Sequence, residues 1–137
     1  MMNPEYARYL QSYTAQELLH LALQAPLIVR EIYDQILTKV GLNSIGLRFT
    51  LAGSFARQRE DEEIINDSHP PDVDIKIQGL PDESWASSRI GFMQRNCLGV
   101  QKEADAVLAR RGGKGPIPPV QILIGVEDYD ADTEYWG

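Results

Sequence analysis

Two short motifs carry the residue types that could do chemistry in this chain. Asp72 and Asp74 alternate with apolar residues, as in a β-strand, where residues two apart point to the same face. Two carboxylates aimed at one spot repel each other unless a cation lies between them, and Mg²⁺ prefers such oxygen ligands. The pair therefore predicts a magnesium site. The alternative is a solvated strand face on which Lys76 is the ion-pair partner.

The second motif is Gly53-Ser54, which follows the apolar alternation of residues 46–51. A strand that ends in Gly-Ser and turns into a helix presents backbone N–H groups and a hydroxyl to an anion. Arg57 lies one helical turn further on, close enough in sequence to contact the same anion. The alternative is an ordinary turn with Ser54 as the helix N-cap. A phosphate cradle beside a metal site is what a nucleoside triphosphate carrying Mg²⁺ requires.

An amphipathic pattern predicts a long helix before these motifs. Thr14 and Glu17 have the spacing of a capping box, and apolar residues then recur three and four apart up to Val40. Pro26 lacks an N–H and crowds the preceding turn, so a kink or break is expected near it. A short helix is also expected within residues 1–13.

Alternating patterns predict three strands, at residues 46–51, 72–77 and 120–126. A helical region is expected between the last two, ending near Arg111, with Gly99 as an interruption. This order of elements favours an α/β (α+β) fold, with a small mixed β-sheet and helices packed on one face.

Bulk composition bounds the class of protein. The 137 residues fit one domain, with a helical segment over about 1–41 and an acidic tail over about 127–137. No apolar run could span a membrane and no secretory signal is apparent, so a cytoplasmic protein without membrane contact is expected. The net charge of −7 opposes a broad nucleic-acid groove. Cys97 is interpreted as a small, half-buried residue.

Residues 51–57 (LAGSFAR) and 71–77 (PDVDIKI) together resemble the core signature of the DNA polymerase β-type nucleotidyltransferase superfamily. The small stand-alone minimal members come closest. Their pattern is an apolar strand, Gly-Ser, a short helix that often carries Arg, a loop, and then Asp-apolar-Asp-apolar. The resemblance covers residues 46–78 well and the last strand loosely.

The resemblance implies a role for each matching residue. Gly53 and Ser54 would hold the triphosphate, and Asp72 and Asp74 would bind Mg²⁺. An acceptor hydroxyl or phosphate, on a macromolecule or a small molecule, would then attack the α-phosphorus while pyrophosphate leaves. Small members often belong to toxin–antitoxin or host-defence systems, so a protein or RNA partner is also implied.

The chain departs from the family pattern at the third carboxylate, which members usually supply from a later strand. Gln121 occupies the expected position, and an amide is a weaker metal ligand that cannot act as a base. Glu127 or Asp128 could substitute if the strand were offset. The loop between Ser54 and Asp72 holds 17 residues, longer than the common spacing.

Other residues offer weaker signals of function. Arg110, Arg111 and Lys114 flank a Gly-rich turn and could contact phosphates, although cations also favour the C-terminal end of a helix. Trp85, Trp136 and the N-terminal tyrosines could stack on a base, although most such aromatic residues belong to a core or an interface.

Two alternatives to an enzyme stay open. Residues 60–74 hold seven acids and residues 127–134 hold five, so the chain could be an inactive interaction protein on the same fold, acting as an inhibitor, an antitoxin or a nucleic-acid mimic. Gln121 favours this alternative. The match could also be fortuitous, in an unrelated α/β domain.

Overall fold

Five helices and three strands lie within residues 4–56, 71–79 and 88–125, which are the residues that the computed structural model describes. Their bounds are α1 Pro4–Tyr9, α2 Ala15–Lys39, β1 Arg48–Ala52, α3 over residues 53–56, β2 Val73–Gln78, α4 Ser88–Arg95, α5 Cys97–Gly112 and β3 Val120–Gly125. The predicted mixed α/β class is confirmed, as is the short helix expected within residues 1–13.

The three strands form one mixed sheet in the order β1-β2-β3. β1 and β2 run antiparallel, with Leu51 opposite Ile75, and β2 and β3 run parallel, with Ile75 opposite Ile122. Paired residues point to the same face of a sheet, so Leu51, Ile75 and Ile122 form a row of apolar side chains across the three strands. Because β1 and β2 are antiparallel, the end of β1 lies beside the start of β2.

The apolar face of the sheet packs against α2 and α5, which also contact each other. Each fully buried Val, Leu or Ile side chain contributes about 1.5–3 kcal/mol through removal from water. The buried residues that these elements supply include Leu18, Ala22, Ala25, Val29, Ile32, Leu37, Val73, Ile75, Ile77, Val100, Ala104, Leu108, Val120, Ile122 and Ile124.

The first long helix begins as predicted and continues through its proline. The Thr14 backbone N–H donates to Glu17 Oε1 at 2.8 Å, and the Glu17 N–H donates to Thr14 Oγ1 at 3.0 Å, which completes the capping box. Of the kink or break expected near Pro26, the break is wrong, because α2 is continuous from Ala15 to Lys39. A proline removes only one helix hydrogen bond, and the buried apolar face on both sides of it outweighs that loss. Val40 is exposed rather than part of that face.

The second helical region breaks at a different residue from the one predicted. α4 ends at Arg95 and α5 begins at Cys97, so the interruption is Asn96 and not Gly99. The Asn96 side-chain amide donates to the Phe92 carbonyl at 2.8 Å, which offers that carbonyl a partner outside the regular helix ladder. Gly99 lies inside α5.

No helix in the described part of the chain combines the length and the apolar character needed to cross a membrane.

Candidate functional site

The end of β1 lies against the side chain of Asp74. Ala52, the last residue of β1, pairs with Asp74, and Gly53 follows with φ of 69°. A Cβ atom added to Gly53 would collide with Asp74 Oδ2 and lie 3.2 Å from Asp74 Cγ. Both the positive φ and the close approach require glycine. The structure therefore brings together the backbone of the Gly-Ser turn and one of the two predicted carboxylates.

Phe55 fixes the turn to the rest of the fold. Residues 53–56 are helical, Ser54 is half-buried and Phe55 is fully buried. The Phe55 ring packs edge-on against Tyr6 of α1, with 6.4 Å between ring centroids. A buried aromatic contact directly after the Gly-Ser pair limits how far this backbone can move.

Asp72 lies half-buried just before β2. The Val73 N–H donates to the Pro119 carbonyl at 2.8 Å, which fixes the entry into the strand. Burial raises the pKa of Asp72, because a carboxylate loses hydration there. A cation at this position would offset that cost. Asp72 directly precedes the first residue of β2, and the alternation of the strand continued to Asp72 places it on the same face as Asp74.

Tyr9 of α1 is a neighbour of Asp72 that sequence reasoning missed. Burial is the main cause that raises the pKa of Tyr9, and the negative charges of Glu5 and Asp72 raise it further. The sequence offered Tyr9 only as one of several N-terminal aromatic residues. No local pattern relates Tyr9 to a residue more than 60 positions away, so the sequence carried no signal for this electrostatic interaction.

Gln121 lies beside Asp74 on β3. The parallel register pairs the two residues, so their side chains point to the same face of the sheet. Gln121 is exposed, and its amide oxygen can accept a hydrogen bond or contact a cation without taking up a proton. The substitutes Glu127 and Asp128 lie outside the described residues, as do Arg57, Trp85 and Trp136.

Lys76 contradicts the interpretation of β2 as a solvated face. Its side chain is only 1% exposed, although it points to the same face as Asp74. Thr50 and Leu123 are its partners on the neighbouring strands. The sheet is therefore covered on both faces at this position, which alternation of polar and apolar residues did not indicate.

Two of the three predicted phosphate contacts bind α2 instead. Arg111 donates to Gln24 Oε1 at 2.7 Å, and Lys114 Nζ lies 2.6 Å from Glu17 Oε2. These contacts join the end of α5 to the first half of α2. Arg110 is exposed in the last turn of α5. The structure thus supports the alternative of cations at a helix end for Arg111 and Lys114.

The N-terminal tyrosines are core residues. Tyr6, Tyr9 and Tyr13 are at most 8% exposed, so they do not offer ring faces to a base. The Tyr13 hydroxyl accepts from the Lys114 N–H at 3.0 Å and donates to the Gly115 carbonyl at 3.2 Å. Their burial agrees with the interpretation of such aromatic residues as core residues rather than stacking surfaces, and their role is to hold α1 and the turn after α5 in place.

The donor set of the site fits a magnesium ion that also binds a nucleotide. In residues 4–56, 71–79 and 88–125, no three His, Cys, Asp or Glu side chains come close enough together to hold a metal ion. Mg²⁺ commonly takes one or two protein carboxylates and completes its shell with water and phosphate oxygens. Asp72 and Asp74 match that requirement.

Comparison with known protein families, with curated proteins and with solved structures found no match for this chain.

We expect Asp72→Asn to stabilise the protein modestly at neutral pH in metal-free buffer. Burial raises the pKa of Asp72, so the folded state holds the proton more tightly than the unfolded chain does. For a carboxyl group this stabilisation is present below the unfolded pKa and is lost as pH rises through the folded pKa. Asparagine never ionises and avoids the loss. Urea unfolding at about pH 7 and at about pH 3 should show a gain only at the higher pH.

The matched control for this prediction is Asp34→Asn. The Asp34 side chain on α2 is 44% exposed and forms an (i,i+4) pair with Arg30 at 3.9 Å, so this change should leave stability unchanged or slightly lower. A loss of stability for Asp72→Asn at neutral pH would show that the folded protein already compensates the ionised carboxylate.

Proposed function

We propose that this chain is a Mg²⁺-dependent nucleotidyltransferase that moves a nucleotide from a nucleoside triphosphate onto a macromolecular or small-molecule acceptor. The observation that carries the proposal is the close approach of Gly53 to Asp74. A backbone turn able to cradle a phosphate lies against a carboxylate able to hold the ion that accompanies it. Neither motif alone has this meaning, since Gly-Ser turns and Asp-x-Asp strands are both common.

Each residue of the site has a defined part in this proposal. The backbone at Gly53 and the Ser54 hydroxyl bind the triphosphate, and the absence of a side chain at Gly53 lets the Asp74 carboxylate lie directly against this turn. Asp72 and Asp74 hold Mg²⁺, which would lower the pKa of the attacking hydroxyl and stabilise the departing pyrophosphate. The Gln121 amide orients a ligand by hydrogen bonds. It does not act as a base, because an amide does not take up a proton.

A thermal-shift titration tests the proposal with ATP, GTP, CTP and UTP, each with and without Mg²⁺. A ligand at about 100 times its Kd stabilises the folded state by about 2.7 kcal/mol, which raises Tm by several degrees in a domain of this size. We expect at least one nucleotide to raise Tm only with Mg²⁺, and Asp74→Asn to abolish the rise. Asp34→Asn should retain it. The absence of a shift with all four nucleotides would contradict the proposal.

The inactive interaction protein remains a second candidate, favoured by the pairing of Gln121 with Asp74. If two carboxylates suffice, the wild-type protein should release pyrophosphate from its preferred nucleotide in the presence of an acceptor. If the site is a remnant, nucleotide should bind weakly or not at all, and Gln121→Asp should strengthen Mg²⁺-dependent binding by restoring a third acid. Stronger binding by the variant than by the wild type would favour the second candidate.

A further inference from the structure

The two edge strands of the described sheet, β1 and β3, have different surroundings. At β3, the Val120 N–H donates to Asp105 Oδ1 at 2.6 Å and the Ile122 N–H donates to Gln101 Oε1 at 2.8 Å. Side chains of α5 thereby occupy the outward N–H groups of this strand. Covering an edge in this way prevents another strand from pairing with it.

The opposite edge borders an open groove. β1 has β2 as its neighbour on one side, and a groove of about 440 Å³ lies between α2 and residues 47–50. Leu23, Pro26 and Leu27 line the helical wall of the groove. Leu27 is 60% exposed and Leu23 is 40% exposed, so two large apolar side chains of one helix face the solvent beside a strand edge. Such exposed apolar surface next to a strand edge is typical of a binding site for an extended segment.

The charges around the groove indicate what kind of segment it fits. Arg30 and Arg48 line the groove, and no acidic residue is among the described residues that line it, although the whole chain has a net charge of −7. Arg30 lies 3.9 Å from Asp34 in an exposed pair, a contact of little energetic value. A second copy of this chain would bring the same arginines together, and like charges opposed across a strand pair are destabilising.

We infer that this groove binds an extended segment of a partner protein in which apolar residues alternate with acidic ones. The segment adds a strand to β1 by main-chain hydrogen bonds. Its apolar side chains cover Leu23 and Leu27, and its carboxylates lie near Arg30 and Arg48. The groove runs along the start of β1, whereas Gly53 follows its end. Binding here therefore does not depend on the proposed nucleotide site.

A fluorescent ten-residue peptide of alternating Glu and Val is the probe, titrated with the full chain and followed by anisotropy. We expect saturable binding that Leu27→Glu and Arg30→Glu each weaken by about tenfold or more, a change of 1.4 kcal/mol. Leu98→Glu and Arg110→Glu are matched controls, since Leu98 is 72% exposed and both residues lie on α5, outside the groove. A peptide N-methylated at alternate residues should not bind, because it lacks the N–H groups for strand pairing.

Four results would overturn the inference. The first is no saturable binding up to about 1 mM protein, and the second is equal binding of the N-methylated peptide. The third is an equal loss of affinity in Leu98→Glu and Leu27→Glu. The fourth is self-association of the wild type that Leu27→Glu abolishes while the peptide does not bind. The last result would assign the groove to a second copy of the chain. All four variants change exposed side chains, and circular dichroism verifies that each is folded.

Discussion

Gly53→Ala is expected to destabilise the protein severely and to abolish nucleotide binding. A positive φ costs an alanine about 1–2 kcal/mol relative to glycine. The new methyl group would also collide with Asp74 Oδ2, and overpacking of this kind costs about 1–3 kcal/mol more. Relief of the collision would separate the turn from the carboxylate and thereby remove the proposed phosphate cradle.

Gly41→Ala is the control for this prediction. Gly41 has φ of 78° and no atom within 4 Å of an added Cβ, so its replacement includes the conformational cost without the collision. Urea unfolding should therefore show a clearly larger loss for Gly53→Ala. The double variant Gly53→Ala/Asp74→Ala should regain part of the stability lost in Gly53→Ala, because it lacks the carboxylate with which the new methyl group collides. Equal losses for the two glycines would show that Gly53 and Asp74 are not in contact.

Phe55→Ala is expected to lower the free energy of unfolding by about 3–5 kcal/mol, the range for deleting a fully buried aromatic ring. Phe55 is 0% exposed and packs against Tyr6, so its loss leaves a cavity between α1 and the Gly-Ser turn. The variant should also bind nucleotide more weakly than its residual folded fraction accounts for, because the turn loses its anchor.

Phe92→Ala provides the comparison for the ring deletion. Phe92 is half-buried on α4, so the same change of side chain should cost less there. Chemical unfolding measures stability, and calorimetry under conditions where both variants are folded measures nucleotide affinity. If Phe92→Ala were the more destabilising of the two, the Gly-Ser turn would not depend on the Phe55 contact.

Local signals predicted most of the fold. The capping box at Thr14 and Glu17 and the alternation along the three strands are short-range features, and the structure bears them out within a few residues. The break at Asn96 was missed because glycine is the stronger helix breaker by propensity, whereas the Asn96 side chain competes for a backbone carbonyl.

The parts of the site that depend on tertiary contacts could not be read from the sequence. Alternation placed Lys76 on the polar face of β2, but nothing local reveals that this face is covered there. The electrostatic interaction of Tyr9 with Asp72 and the salt bridge between Lys114 and Glu17 both join residues that are far apart in the chain. Gln121 was expected near the carboxylates only through the family resemblance, and its pairing with Asp74 is set by the parallel register of β2 and β3.

If the Gly-Ser turn and the Asp72/Asp74 pair form one Mg²⁺-nucleotide site, isothermal titration calorimetry should show that nucleotide binding depends on Mg²⁺ and on Asp74. The nucleotide selected by thermal shift is titrated into wild type and Asp74→Asn, with and without Mg²⁺. We predict that Mg²⁺ tightens binding by at least about tenfold in the wild type, a coupling of 1.4 kcal/mol, and leaves the affinity of Asp74→Asn unchanged. The same response to Mg²⁺ in both proteins would contradict the claim.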